Sequence, residues 1–190
     1  MLAGEALRQA ATHLQNEGVD SPRLDADLLL VHVLGVNRAA VLARPDRVLT
    51  PKELTRFRAL VTRRGQREPL AYIVGHREFY GLEFAVGPHV LVPRPETELL
   101  VDTSLGILRG REGPFQIADV GTGSGAVAVT LAHHLPSAVV YALDASPGAL
   151  EVASLNARRH GVSDRVRCLL GDLVKPLPES VGLITANLPY

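Results

Sequence analysis

The chain of 190 residues is 46% hydrophobic and carries 20 basic and 20 acidic side chains, a formal net charge of zero, which excludes a disordered polymer and argues against binding nucleic acid by bulk positive charge. No run approaches the ~18 apolar residues of a membrane span, and Glu5 and Arg8 stand where a secretory signal needs an apolar core, so an intracellular, cytoplasmic chain is expected. The single cysteine, Cys168, excludes an internal disulfide and a cysteine-based zinc site, and the length suits one or two domains.

Residues 1–75 read as a helical domain. Ser21-Pro22 predicts an N-cap followed by proline at the first helical position, ahead of Leu24, Leu28 and Val31 at helical spacing, and Gly35 stops that helix. Thr50-Pro51-Lys52-Glu53 predicts a capping box, with Leu54, Phe57 and Val61 marking one apolar face. Residues 44–67 hold eight basic side chains against Asp46 and Glu53. A solvated helix face is the plainer reading of that run, and a docking surface for an acidic partner the functional one.

Residues 76–92 change period. Phe79-Tyr80-Gly81-Leu82-Glu83-Phe84-Ala85-Val86 is aromatic and β-rich around a glycine, which predicts a short β-hairpin linker. Pro93-Arg94-Pro95 follows, and a helix entered through Pro95 runs to about residue 108. The remainder, residues 93–190, alternates: strands are expected at 115–120, 138–144, 165–170 and 181–187, with helices at 124–135 and 146–160. Such alternation builds a parallel sheet with crossover helices, an open α/β domain. The fourth strand ends where the chain does, so the sheet is expected to be unfinished and C-terminally truncated.

Asp119-Val120-Gly121-Thr122-Gly123-Ser124-Gly125-Ala126 closes the first strand of that domain and opens a helix. Glycines let the backbone turn tightly and meet a ligand without a Cβ, and the helix N-terminus offers free amides to a negative group. Asp144, nineteen residues after Gly125, ends the next strand, where a carboxylate can accept both ribose hydroxyls of a nucleoside. A nucleoside-containing cofactor follows. Gly121, Gly123 and Ala126 also satisfy the dinucleotide fingerprint G-x-G-x-x-G/A, so the glycines alone do not choose among cofactors. Asp119 would repel a pyrophosphate yet suits an ammonium group such as that of S-adenosylmethionine; a plain strand-end carboxylate bonded to the loop is its structural alternative. Asp172, in Leu170-Gly171-Asp172-Leu173, is expected beside the adenine, or else in an ordinary turn.

Asn187-Leu188-Pro189-Tyr190 ends the fourth strand, on the carboxyl edge of the sheet where open α/β folds bind ligands. A planar NH₂ group is a poor nucleophile because its lone pair is delocalised. The Asn187 side-chain oxygen and the Leu188 carbonyl could accept its two protons and turn the lone pair toward a methyl group. Pro189 would keep Leu188 extended, and Tyr190 could stack on the flat group. The neighbours His133 and His134 point about 100° apart on a helix and cannot share a metal, and no metal is expected.

Four stretches together resemble the HemK-type release factor glutamine methyltransferases: Pro69-Leu70-Ala71-Tyr72-Ile73-Val74-Gly75, Arg77-Glu78-Phe79-Tyr80-Gly81-Leu82, Val92-Pro93-Arg94-Pro95-Glu96-Thr97-Glu98, and the Gly121 loop. The resemblance implies a Rossmann-like class I methyltransferase domain behind an N-terminal helical bundle. It also implies transfer of a methyl group from S-adenosylmethionine to the glutamine of the Gly-Gly-Gln loop in class I peptide chain release factors. Carried over by position, Gly121, Thr122, Gly123, Ser124, Gly125, Asp144, Asp172 and Leu173, with Asp119 and Asn187, would hold the cofactor. Asn187, Leu188, Pro189 and Tyr190 would hold the glutamine, residues 94–98 would lie near the pocket, and the helical domain would grip the release factor. Leu188 stands where the family usually has proline; the tetrapeptide is similar to that of ribosomal RNA adenine dimethyltransferases, so adenine methylation of RNA or DNA is the second reading. A fragment acting only as a binding module is a third, and a nicotinamide dehydrogenase comes last. The leading reading expects no direct nucleic-acid contact, no membrane and a monomer.

Overall fold

The computed structural model describes residues 1–111 and 113–188. These divide into two compact units, Met1–Val74 and the chain from Gly75 onward. No helix among the described residues is long and apolar enough to cross a membrane.

The first unit holds helices α1 (Ala3–Asn16), α2 (Pro22–Leu34), α3 (Arg38–Leu42), α4 (Pro51–Gly65) and α5 (Leu70–Val74). Helix α4 starts with the expected capping box: the Thr50 hydroxyl accepts from the Glu53 N–H, and the Glu53 carboxylate accepts from the Thr50 N–H at 2.8 Å. Helix α2 departs from expectation in two ways. Ser21 occupies the N-cap position before Pro22, but its side chain makes no cap bond. The buried face is Ala26, Leu29 and Leu30, whereas Leu24 is 41% exposed. A helix apolar on most sides offers several faces at helical spacing, and packing against α1 and α4 selects one of them. That face also carries Asp25 and Asp27, buried but paired: Arg64 Nε meets Asp25 at 2.7 Å and Arg38 meets Asp27 at 2.8 Å. Pairing is what makes their burial tolerable. Within the basic run 44–67, four of the eight basic side chains meet acidic or carbonyl oxygens inside the unit: Arg47 pairs with Glu53, Arg63 with Glu68 and Arg64 with Asp25, and Arg67 donates to the Gly18 carbonyl.

The second unit opens with an antiparallel hairpin, β1 (His76–Phe79) and β2 (Leu82–Ala85). Its two loop residues, Tyr80 (φ 53°) and Gly81 (φ 73°), are both left-handed, the type I′ geometry that matches strand twist. Tyrosine rarely adopts this conformation. Here it is held by α6 (Glu98–Leu108), since the Tyr80 N–H donates to Glu98 at 2.9 Å and its hydroxyl to Asp102 at 2.6 Å. The chain enters α6 through a 3-10 turn, Pro95–Thr97.

Strands β3 (Phe115–Val120), β4 (Ala138–Asp144), β5 (Val166–Leu170) and β6 (Leu183–Ala186) form one parallel sheet ordered β5-β4-β3-β6. Helices α7 (Ala126–His134) and α8 (Pro147–Arg159) cross between them. The predicted strands and helices are all present, with β5 one residue shorter and β6 confined to four residues. On one face Ile117, Val140 and Ala142 pack with α7, Val101 of α6 and the hairpin residues Phe79 and Phe84. On the other, Ala118, Val120, Tyr141 and Leu143 meet Leu177 and Val181 from the β5–β6 connection. The order reverses between β3 and β6, the first and fourth strands of the sheet. In a doubly wound sheet that switch point opens a crevice at the carboxyl ends of the two strands, where ligands bind.

Candidate functional site

The glycine loop leaves β3 at that crevice. Gly121 has φ 70°, a left-handed conformation that favours glycine, and the end of the exposed Leu188 side chain lies over it, Cδ2 2.6 Å from where a Cβ would stand. The loop is tied down by backbone bonds, Thr122 N–H to the Leu143 carbonyl at 2.9 Å and Gly125 N–H to the Thr122 carbonyl at 2.8 Å. Asp144, half-buried at the end of β4, receives the Gly123 N–H on one carboxylate oxygen and the Ser146 N–H on the other, each at 2.9 Å. It therefore fixes two loops while its oxygens keep further lone pairs for hydroxyl donors.

Two clefts meet at Gly121. One, of about 70 Å³, is lined by Asp119, Gly121, Thr122, Gly123 and Ser124 from the loop, by Asn187, and by residues 91–94 with Thr97. The other, of about 120 Å³, is lined by Gly121, Asp144, Asp172, Leu173 and Leu188. The structure thus gathers at one edge nearly every residue singled out in the sequence. Gly125 is the exception: it lies at the start of α7, where a Cβ would sit 3.0 Å from Ala153 Cβ on α8, so its glycine serves helix packing. Asp172 is exposed, with Lys175 Nζ on its carboxylate at 2.6 Å. His133 and His134 lie exposed at the end of α7, with the His134 ring edge-on to Tyr80. Pro189 and Tyr190 lie outside the described residues.

Asp119 is the buried floor. Its carboxylate accepts the Thr122 hydroxyl at 2.7 Å on one oxygen and the Thr185 hydroxyl at 2.8 Å on the other. A loop residue and a β6 residue two positions before Asn187 are therefore joined through one carboxylate. Burial pushes its pKa up to about 6; hydrogen bonds from Thr122, Thr185 and the Ala128 N–H oppose this only in part, and the nearby Asp144 adds to the rise. A carboxyl whose folded pKa is raised holds a proton between about pH 4 and 6 that the unfolded chain has lost. Its contribution to stability is therefore present at the acid side and lost as pH rises through 6. Comparing urea unfolding of Asp119→Asn with the parent at about pH 4 and pH 7 checks this: the parent is expected to lose up to about 3 kcal/mol more across the interval than the variant.

Asn187, at the exposed tip of β6, donates from Nδ2 to the Thr97 hydroxyl at 3.0 Å. Among the described residues no donor reaches its Oδ1, which is left as an acceptor at the cleft. Asn187 thus lines one cleft together with the glycine-loop backbone and the buried Asp119. That arrangement suits a positively charged ligand part below and an NH₂ group above. Sequence reasoning missed Thr185 and Leu91, and had Thr97 only as one of residues 94–98 expected near the pocket. Thr185 was signalled only by a polar side chain in the otherwise apolar Leu183–Ala186, and Thr97 lies in the 93–98 stretch already quoted. A larger hollow of about 770 Å³ lies in the helical unit, lined mainly by alanine, leucine and valine with Arg44, Asp46 and Arg47, and gathers no comparable polar groups.

Comparison with known proteins bears on both units. Residues 5–75 match the family described as PrmC N-terminal domain and residues 117–188 the family described as methyltransferase domain. A release factor glutamine methyltransferase from Nitratidesulfovibrio vulgaris is 46% identical over 186 residues, 97% of this chain and 62% of that protein. One from Moorella thermoacetica is 44% identical over 191 residues, 100% of this chain and 67% of that protein. The chain spans roughly three fifths to two thirds of the length of the curated relatives it matches. A solved S-adenosylmethionine-dependent methyltransferase from Agrobacterium tumefaciens superposes with a TM-score of 0.50 at 18% identity, over 58% of this chain and 38% of that one, a likeness of fold.

Proposed function

Because this chain belongs to the release factor glutamine methyltransferase family, we propose that it methylates, from S-adenosylmethionine, the side-chain amide nitrogen of the glutamine in the Gly-Gly-Gln loop of class I peptide chain release factors. The observation that carries the proposal is Asn187, its Oδ1 without a donor among the described residues, lining the same cleft as Gly121 and Gly123.

The residues present fit the cofactor. Gly121 lines both clefts and adds no side chain of its own to either, as a closely approaching ligand requires. Asp144 would take the ribose hydroxyls, Asp172 and Leu173 would flank the adenine, and Gly121, Thr122, Gly123 and Ser124 would line the methionine part above Asp119. When bound, S-adenosylmethionine supplies a methyl on a cationic sulfur that departs as a neutral thioether.

The chain's own work is on the nitrogen. Resonance makes an amide NH₂ planar and its lone pair unavailable. Asn187 Oδ1 and the Leu188 carbonyl accept its two protons, favour a pyramidal nitrogen and aim the freed lone pair into the cleft. One of those protons passes to solvent water at the exposed cleft once the new N–C bond forms. Leu188 supplies the same backbone acceptor as a proline would, without a fixed φ. The parts that the sequence suggests for Pro189 and Tyr190 fall outside the described residues. The helical unit would grip the release factor.

Incubating the chain with S-adenosylmethionine and a class I release factor, beside the Moorella thermoacetica relative as a control, tests the proposal by mass spectrometry of the Gly-Gly-Gln peptide. One added methyl on the glutamine is expected. An unmodified peptide here while the relative modifies it, or methyl incorporated into RNA instead, would contradict the assignment.

A further inference from the structure

Thr97 stands at the N-cap position of α6, where a threonine hydroxyl ordinarily accepts an N–H from the first helical turn. It makes no such bond. Its backbone is already helical (φ −70°, ψ −18°) because it closes the 3-10 turn Pro95–Thr97, rather than extended as at an ordinary capping residue. The hydroxyl instead accepts from Asn187 Nδ2 at 3.0 Å, across 90 residues of sequence, and both residues line one cleft.

We propose that Thr97 is the positioning residue that gives the donor end of Asn187 a partner in the cleft wall, so that the acceptor end is free for the substrate. The inference rests on the reading of Asn187 given above. An exposed asparagine side chain otherwise rotates about both its torsions, and its amide presents either donors or an acceptor. A hydroxyl can bond to either end, so the sense is settled when the target amide arrives. With Nδ2 on Thr97, Oδ1 meets the incoming N–H; with the amide reversed, two donors face each other and a hydrogen bond is lost. Without the hydroxyl neither sense is held, and a smaller share of complexes is correctly arranged to react.

Thr97→Val removes the hydroxyl at nearly constant shape, and Thr97→Ser restores it. Thr97→Val is expected to lower kcat about 10-fold, the worth of one hydrogen bond that orders a reacting group. The KM for release factor and the calorimetric affinity for S-adenosylmethionine should stay within about 2-fold, and Thr97→Ser should return most of the rate. Unchanged kcat in Thr97→Val, or equal loss in both variants, overturns the inference. A second readout needs no turnover: the two Asn187 Nδ2 protons in a ¹⁵N NMR spectrum should be well separated in the parent and in Thr97→Ser, and converge toward free-amide positions in Thr97→Val. If the parent methylates nothing, the functional reading fails and the NMR result still decides for or against Thr97. Identical Asn187 signals in all three proteins would decide against it.

Discussion

Asn187→Ala is expected to lower kcat for glutamine methylation by about 10²- to 10³-fold, the range seen when one preorganised hydrogen-bonding group is removed from a reacting centre. The affinity for S-adenosylmethionine should change little, because Gly121, Asp144, Asp172 and Leu173 are untouched. The physical reason is that the truncated wall leaves one proton of the target NH₂ unpaired, so the nitrogen stays planar and conjugated. Asn187→Asp keeps an oxygen acceptor in place and should fall between the parent and alanine. Single-turnover rates at saturating cofactor, with binding measured separately by calorimetry, distinguish this outcome from a weakened complex. A rate within about threefold of the parent in Asn187→Ala would remove the residue from the mechanism.

The largest expected effect on stability lies at a residue that touches no ligand. Asn156, on α8 and fully buried, receives the Ala85 N–H on Oδ1 at 2.8 Å and donates from Nδ2 to the Ala85 carbonyl at 3.0 Å and the Ser124 carbonyl at 2.8 Å. One side chain thus joins the hairpin, a crossover helix and the glycine loop. Asn156→Ala strands three backbone groups in the interior. At about 1 kcal/mol for each lost bond, with desolvation of the orphaned groups added, the loss is expected to be about 3–5 kcal/mol. That is a large part of the ~5–15 kcal/mol by which a domain is ordinarily stable. Urea unfolding followed by circular dichroism reads this directly, and a loss under about 1 kcal/mol would mean that water replaces the side chain at little cost. Because the Ser124 carbonyl loses its anchor, cofactor affinity should fall in the surviving folded protein as well.

Asn156 also marks the limit of what the sequence reveals. Its partners are backbone groups 71 and 32 residues away, and no local pattern distinguishes it from a surface asparagine on an amphipathic helix. The glycine loop, Asp144 and the sheet were legible for the opposite reason. Left-handed turns need glycine, strands alternate with helices at short range, and the carboxyl edge of a parallel sheet follows from chain direction. Thr50 and Glu53 were readable because a capping box is local, whereas the buried face of α2 was not, because Asp25 and Asp27 became tolerable only through Arg64 and Arg38 on other helices. Asp119 shows the intermediate case: its place after the strand was evident, but the downward turn of its carboxylate onto Thr122 and Thr185 depends on β6, a pairing that joins positions 66 apart.

A crystal structure of the chain with S-adenosylhomocysteine, the product left after transfer, tests the central claim most directly. The sulfur is expected in the cleft between the Gly121-Thr122-Gly123 backbone and the Asn187 amide, with the ribose on Asp144 and Asn187 Nδ2 still on Thr97. Product bound away from Gly121, or Asn187 rotated out of the cleft with the product in place, would contradict it.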